Sequence, residues 1–280
     1  MKNLLQLNLA LIFIATMLGS CKKDEKKEIT DIDVETVRDN AFAESSYSDV
    51  LNISDQAAKD GELTTYRLGS GEEGYMSLCA TINNDTTLNP HLLTIDFGSE
   101  NCECSDGKNR RGKILVSYQG QYRDSASMHS FSFDNYYVND YKIGGTKTVT
   151  NMGHNSVGNL FFNISVNGII TSPSAQNLTW TSSRTREWTA GESTAGIIGW
   201  LDDVYKIDGT ASGTSFNGTG FTAEITEPLV VALNCRWIKQ GNLEFTPGSL
   251  ATRYLNFGAG ICENDATVTI NGNTYSITLR

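Results

Sequence analysis

The sequence predicts an all-β protein, either an antiparallel sandwich or a curled β-meander, with a short N-terminal helix before it. Three observations support this fold class. After residue 61 the chain consists of short runs in which apolar and polar residues alternate, as expected of strands with one buried face. Turn-forming dipeptides such as Asn-Gly separate these runs. Proline is scarce, with 4 residues, and glycine is abundant, with 26, which suits strands joined by tight turns.

The first 20 residues have the features of a secretion signal. Lys2 precedes an apolar stretch from Leu4 to Met17, which is shorter than the roughly 20 residues of a membrane-spanning helix. The stretch leads into Leu18-Gly19-Ser20-Cys21, which resembles the lipobox of bacterial lipoproteins. We therefore predict that residues 1–20 are a lipoprotein signal peptide. Cys21 is then acylated and becomes the first residue of the mature protein.

Residues 21–30 are predicted to form a charged tether, because Lys22 to Glu28 is a dense mixture of Lys, Asp and Glu. In a second interpretation, Asp24 and Glu25 resemble the acidic export signal that sends some Bacteroidetes lipoproteins to the cell surface. The predicted location is the cell envelope, with a lipid anchor in the outer membrane and a periplasmic or surface-exposed body. The membrane is then a partner through the N-terminal acyl chains, which anchor stably when two or more are present.

Residues 31–60 are predicted to form a helical stalk, with a disordered spacer as the alternative. This segment is rich in Asp, Glu, Ala and Ser, and Gly61 is a suitable stop signal. Its apolar residues recur at helical spacing, at Ala43, Tyr47, Val50 and Ala57. Residues 61–280 are predicted to form one antiparallel β domain with internal pseudo-repeats.

The end of the chain gives the clearest strand pair. Val268 and Ile270 alternate with threonines, Asn271-Gly272 follows, and a second alternating run ends the chain. Asn-Gly favours the positive φ angles of a type I′ turn, so this pattern predicts a β-hairpin. The same device is predicted at Asn167-Gly168. Further alternating strands are predicted at Ile114, Val116 and Tyr118, at Phe131 and Phe133, and at Phe221, Ala223 and Ile225.

Two short sequences recur within the β domain. Tyr141 to Thr146 resembles Tyr205 to Thr210. Ile95-Asp96-Phe97-Gly98, followed by Cys102, resembles Leu255-Asn256-Phe257-Gly258, followed by Cys262 at the same offset.

The second recurrence suggests how the cysteines pair. Cys79 precedes the first block much as Cys235 precedes the second, so we predict the disulfides Cys79–Cys102 and Cys235–Cys262. Cys104 is then unpaired, or is the alternative partner of Cys79. Disulfides fit the oxidising envelope that the signal peptide indicates.

Composition and motif searches mostly exclude functions. The formal net charge of −10 argues against nucleic acid as a partner. His91, His129 and His154 are isolated, and Cys102-Glu103-Cys104 lacks the spacing of zinc or redox sites, so no metal and no cofactor is predicted. A Gly-x-Ser-x-Gly elbow is also missing from the sequence. No catalytic residue is therefore assigned.

One constellation is a candidate binding face. Trp180, Ser182, Arg184, Arg186 and Trp188 are every second residue of one run, so they share one face of a predicted strand. Arginines between tryptophans suit cation–π stacking, and such a face suits a sugar ring or an acidic polymer. The structural alternative is a cross-strand ladder that holds neighbouring strands together.

Several segments spread over nearly the whole mature chain resemble an uncharacterised family of Bacteroidetes cell-envelope lipoproteins. They are Asp39-Asn40 with Ala43-Glu44 and Asp49-Val50, Asp106-Gly107 with Arg111-Gly112-Lys113-Ile114, Phe133 to Val138, Gly145 to Thr150, and Thr185 to Trp188. The resemblance implies a lipobox signal, a short helical stalk and a β-rich body, but no particular activity.

Two functions follow from these observations. The first is a lipid-anchored, non-catalytic binding or structural β module whose partner is a glycan or an envelope protein. The alternative is an extracytoplasmic hydrolase that acts on a glycan or another polymer with residues scattered through loops. A deep cleft with two facing carboxylates would favour the hydrolase.

Overall fold

The computed structural model describes residues 34–62, 79–194 and 202–279. The predicted signal peptide 1–20, the lipidation site Cys21 and the tether 21–30 lie outside the described residues. Within the described ranges, no helix has both the length and the apolar character to cross a membrane.

The described residues form one α-helix followed by fourteen strands. The helix is α1 (Glu35–Glu62), and a 3₁₀ helix, Glu192–Thr194, follows β8. The strands are β1 (Thr81–Asp85), β2 (His91–Asp96), β3 (Cys102–Glu103), β4 (Asn109–Gln119), β5 (Met128–Val138), β6 (Tyr141–His154), β7 (Leu160–Thr171), β8 (Asn177–Ala190), β9 (Val204–Thr214), β10 (Gly220–Ala232), β11 (Gln240–Pro247), β12 (Arg253–Ala259), β13 (Asp265–Ile270) and β14 (Asn273–Thr278).

All of these strands belong to one antiparallel sheet. Each strand pairs with the next along the chain, except that β2 pairs with β4 while β3 pairs only with the start of β4. The all-β prediction is confirmed, and of its two forms the structure is the meander, because two separate sheets would be needed for a sandwich.

The two Asn-Gly dipeptides adopt different structures. Asn271 and Gly272 have φ angles of 50° and 80° and connect β13 to β14, as the sequence predicts. The predicted turn at Asn167-Gly168 is wrong, because both residues lie inside the continuous strand β7. A Cβ atom at position 168 would lie 2.1 Å from the hydroxyl of Tyr47, so this glycine makes room for α1.

The other predicted strands are confirmed in β4, β5 and β10. The structure also contains the two predicted disulfides, Cys79–Cys102 and Cys235–Cys262. Cys104 is a buried free thiol, and burial raises its pKa. Two disulfides indicate an oxidising, extracytoplasmic compartment.

Helix α1 occupies the segment in which the sequence predicts a helix, but it is not a stalk. It belongs to the same compact unit and the same hydrophobic core as the sheet. Its buried side chains span about 240° of its circumference at 100° per residue, more than twice the usual apolar stripe. Since a flat sheet contacts only one side of a helix, the sheet curls around α1.

Candidate functional site

Helix α1 crosses the inner face of the sheet and is held there by polar contacts. Near its start, the side-chain oxygen of Asn40 accepts a hydrogen bond from Trp180 Nε1 of β8 at 3.0 Å. Further along, the hydroxyl of Tyr47 donates to the carbonyl oxygen of Gly144 in β6 at 2.8 Å. The helix thus passes over the middle strands of the sheet, and two groups of charged side chains lie beneath it.

Tyr47 and Trp180 form the apolar contact between the helix and these strands. Their rings stack with centroids 5.6 Å apart and planes 5° apart. Trp180 pairs across the sheet with Gly168 and Gly213, and the missing side chain of Gly168 leaves space for the Tyr47 ring. The indole of Trp180 is therefore packed against α1.

The first charged group, which we call the ion-pair cluster, consists of Asp49, Asp106, Lys108 and Arg110. The Arg110 guanidinium binds both carboxylate oxygens of Asp106 at 2.7 Å and one of Asp49 at 2.7 Å. Lys108 Nζ lies 3.3 Å from Asp49. Two cations therefore face two carboxylates, although the Arg110 side chain is fully buried.

The charges of the ion-pair cluster hold each other in the ionised form. Burial alone would raise the pKa of Asp49, but the charges of Lys108 and Arg110 keep it below its usual range. Burial likewise opposes the charge on Arg110, but its hydrogen bonds to Asp106 and the charge of Asp49 raise its pKa above the usual value.

The second charged group lies beside a cavity of about 40 Å³ between α1 and strands β6 to β10. Three cationic side chains line it, but only one carboxylate does. We call it the cationic cavity and define it by Glu44, Lys147, Ser182, Arg184 and Arg186. Ser48 and Asn52 of α1, both half-buried, also line it.

Two of the three cations in the cationic cavity have an acceptor. Arg184 binds Glu44 Oε2 through Nη2 at 2.6 Å and through Nε at 3.2 Å. Lys147 Nζ donates to the backbone carbonyl oxygen of Tyr47 at 2.6 Å. A backbone carbonyl carries no net charge, so Glu44 is the one carboxylate among the side chains that line this cavity.

Arg186 is the third cation, and it has no carboxylate partner among the described residues. Its guanidinium carbon lies 3.5 Å from the ring centroid of Tyr205, a cation–π contact. The residue is only 7% exposed. A buried charge is costly unless it is paired, and a cation–π contact supplies only part of what an anion would.

Two hydrogen-bond donors of the cationic cavity also lack an acceptor among the described protein atoms. They are Ser182 Oγ and Arg184 Nη1, and both atoms are fully buried. Lys147 and Ser182 belong to one row across the sheet, separated by Val166, and Arg184 belongs to the next row. The donors therefore surround the same part of the inner face.

The surplus of positive charge affects Lys147. Burial, followed by the repulsion from Arg186, lowers the pKa of Lys147 to about 7. The negative charges of Glu44 and Asp49 oppose this shift without cancelling it. The lowered pKa therefore reflects burial first and the neighbouring Arg186 charge second.

The predicted binding face is placed on one side of β8, but that side is covered. Trp180, Arg184 and Arg186 line the cationic cavity, whereas Trp188 lies outside it and stacks with Tyr205. The four side chains are 1–7% exposed. The expectation of an open platform for a flat sugar ring is therefore wrong, because Tyr47 of α1 covers the indole of Trp180.

Sequence reasoning missed Glu44 and Lys147. Lys147 shares its strand face with Ile143 and Val149, which are buried, so the alternation of β6 already places it inward. Glu44 lies next to Ala43 and one helical turn before Tyr47, within the apolar stripe of α1. In both elements, the sequence signal that could have revealed the residue was a charged side chain at a position where the periodic pattern expects an apolar one.

We also searched for a metal site and for similar proteins. Among the described residues, no group of three or more His, Cys, Asp or Glu side chains is arranged to hold a metal ion. Comparison of the chain with protein-family models, curated proteins and solved structures finds no match.

Proposed function

We propose that this chain is a lipid-anchored cell-envelope protein whose β body binds a small ligand without catalysing a reaction. The cationic cavity carries the proposal, because it combines an unpaired buried arginine with two unpartnered donors. Structural charges are normally paired, as they are in the ion-pair cluster. The ligand group belongs to a free molecule or to a glycan or envelope protein that carries it.

The anchor in this proposal is the acylated Cys21, in the outer membrane of a Bacteroidetes cell. The lipobox pattern and the resemblance to envelope lipoproteins support it, and the two disulfides agree with an extracytoplasmic location. A Cys21→Ser variant should lose its acyl label and leave the membrane fraction. Cys104→Ser, which changes a thiol that the proposal leaves unmodified, should keep both.

Ligand binding without turnover is tested on the full-length lipidated protein in an uncharged detergent. The midpoint temperature of unfolding, Tm, is measured against a panel of neutral glycan fragments, acidic sugars and small anions, with chromogenic hydrolase substrates in parallel. We expect at least one compound to raise Tm and no substrate to be cleaved. Cleavage that copurifies with the protein would support the hydrolase instead.

A pair of variants on α1 locates the binding. Ser48 lines the cationic cavity, whereas Ser45 is exposed on the same helix. Ser48→Leu should fill the cavity and abolish the rise in Tm, and Ser45→Leu should preserve it. Equal responses from the two variants would place the ligand elsewhere.

A further inference from the structure

We propose that the ligand of the cationic cavity is a small oxyanion, namely a phosphate or carboxylate group held by Arg186, Arg184 and Ser182. This inference rests on the proposed binding function and adds the chemical class of the ligand. Three observations carry it: the charge surplus, the donor geometry and the size of the cavity.

The charge surplus calls for an anion. Lys147, Arg184 and Arg186 face one carboxylate, that of Glu44, and no other carboxylate of the described residues lines the cavity. The net charge of the whole chain is −10, so positive charge that collects in the interior is opposite to the overall tendency of the sequence. A bound oxyanion supplies the negative charge that the ion-pair cluster receives from its second aspartate.

The donors match the acceptors of an oxyanion. Glu44 uses Nε and Nη2 of Arg184, which leaves Nη1 as a buried donor without an acceptor among the described protein atoms. Ser182 Oγ on the same strand face is also unpartnered among the described protein atoms. Arg186 presents its planar guanidinium two residues further along this face. Arginine forks bind phosphate and carboxylate oxygens with paired hydrogen bonds.

The size of the cavity limits the ligand to one small group. A single water needs roughly 10–15 Å³ of comparable space, so a cavity of about 40 Å³ holds one small oxyanion group or a few waters. A sugar ring is too large for it. A larger molecule can present only its charged group, and the half-buried Ser48 and Asn52 mark the side of α1 that it would approach.

The test measures Tm and binding isotherms of the full-length lipidated protein with four probes. They are inorganic phosphate, glycerol 3-phosphate, acetate, and chloride at matched ionic strength. We expect millimolar phosphate or acetate, but not chloride, to raise Tm by several degrees. A response to phosphate and not to glycerol 3-phosphate indicates a free ion as the ligand, whereas a response to both indicates a group that a larger molecule can carry.

Two variants remove the contacts, and each has a matched control. Arg186→Met should weaken oxyanion binding about ten- to hundredfold, since it deletes a charged donor. Arg123→Met is its control, because Arg123 also stacks on an aromatic ring, that of Trp188, but is exposed. Ser182→Ala should weaken binding about three- to tenfold and leaves folding intact, because its hydroxyl has no protein partner. Ser183→Ala, on the opposite face of β8, should change nothing.

The outcomes separate this inference from the proposed function. Unchanged affinity in both Arg186→Met and Ser182→Ala, or an equal rise in Tm with chloride, would overturn the oxyanion assignment. A neutral compound that binds and loses affinity in Ser48→Leu would do the same, but would leave the binding function standing. Hydrolase turnover would overturn the proposed function itself.

Discussion

The ion-pair cluster and the cationic cavity lie under the same helix but differ in charge balance. In the ion-pair cluster, Lys108 and Arg110 face Asp49 and Asp106 at distances of 2.7 to 3.8 Å. In the cationic cavity, three cations face Glu44 alone. Most of these side chains are buried, so salt screens the difference less than it would at the surface.

This contrast separates a structural role from a binding role. The balanced charges of the ion-pair cluster fix the position of α1 on the sheet, and removing one member leaves its partners without their counter-charge. An unbalanced buried site destabilises the protein when no anion is bound to it. Four predictions test the contrast.

The largest effect is expected for Arg110→Met. It leaves the buried carboxylate of Asp49 and the partly buried carboxylate of Asp106 without their main partner, so the free energy of unfolding should fall by about 3 to 5 kcal/mol. Urea unfolding monitored by tryptophan fluorescence measures it. Arg111→Met, on the opposite face of β4, removes a more exposed ion pair with Asp140 and should cost less than about 1 kcal/mol.

The next largest effect on the free energy of unfolding is expected for Glu44→Gln. The change leaves Arg184, Lys147 and Arg186 together without a carboxylate, and we expect a loss of about 2 to 4 kcal/mol in the same unfolding measurement. The exposed Glu35 of the same helix provides the control, and Glu35→Gln should cost a small fraction of that loss. Added phosphate should restore more stability to Glu44→Gln than to the unmodified protein; equal responses would contradict the charge argument.

The pH dependence of stability isolates Lys147. Its pKa is about 7 in the folded protein and near 10.5 when unfolded, so the unfolded state binds the extra proton between these values. The free energy of unfolding should therefore rise by roughly 1 to 3 kcal/mol from pH 7 to pH 9. Lys147→Met should remove this rise. The raised pKa of Cys104 acts with the opposite sign above about pH 9, so the measurement stops there.

The smallest effect on stability is expected for Arg186→Met without added oxyanion. It removes a buried charge that has no carboxylate partner, which stabilises the fold, and a cation–π contact with Tyr205, which destabilises it. The two should nearly cancel, giving a change within about 1 kcal/mol. A loss of 3 kcal/mol or more, on the order found for buried pairs, would make Arg186 a structural residue like Arg110 and break the comparison.

Much of the fold could be predicted from local sequence patterns. The alternation of Val268 and Ile270, and of the runs in β4, β5 and β10, predicts strands because side chains alternate between the faces of any strand. The disulfides were accessible because the internal recurrence aligns Cys79 with Cys235 and Cys102 with Cys262.

The two Asn-Gly dipeptides show where local reasoning fails. Asn271-Gly272 adopts the turn that its own conformational freedom favours. Asn167-Gly168 has the same freedom, but Gly168 is needed for the space above it, which Tyr47 of a distant helix fills. Glycine satisfies both a need for space and a need for a positive φ angle. The sequence alone therefore does not show which of the two needs a given glycine meets.

The candidate site could also be predicted only in part from the sequence. Period-two spacing places Trp180, Arg184 and Arg186 on one face of β8, and the structure agrees. Spacing within one strand does not reveal what covers that face, which here is α1, more than 130 residues earlier in the chain. Lys147 and Glu44 join the site from two further elements for the same reason.

The sequence by itself determined the all-β class, the position of the helix and the common face of the β8 arginines, because each depends on local geometry. Through an internal recurrence it favoured the observed disulfide pairing, but it left Cys104 as an alternative partner of Cys79. The tertiary structure alone decided that α1 lies inside the curl of the sheet rather than forming a stalk. It also decided that Arg110 meets two carboxylates while Arg186 meets none among the described residues. Charge balance in a buried site depends on contacts between residues far apart in sequence, and those contacts exist only once the sheet has curled around the helix.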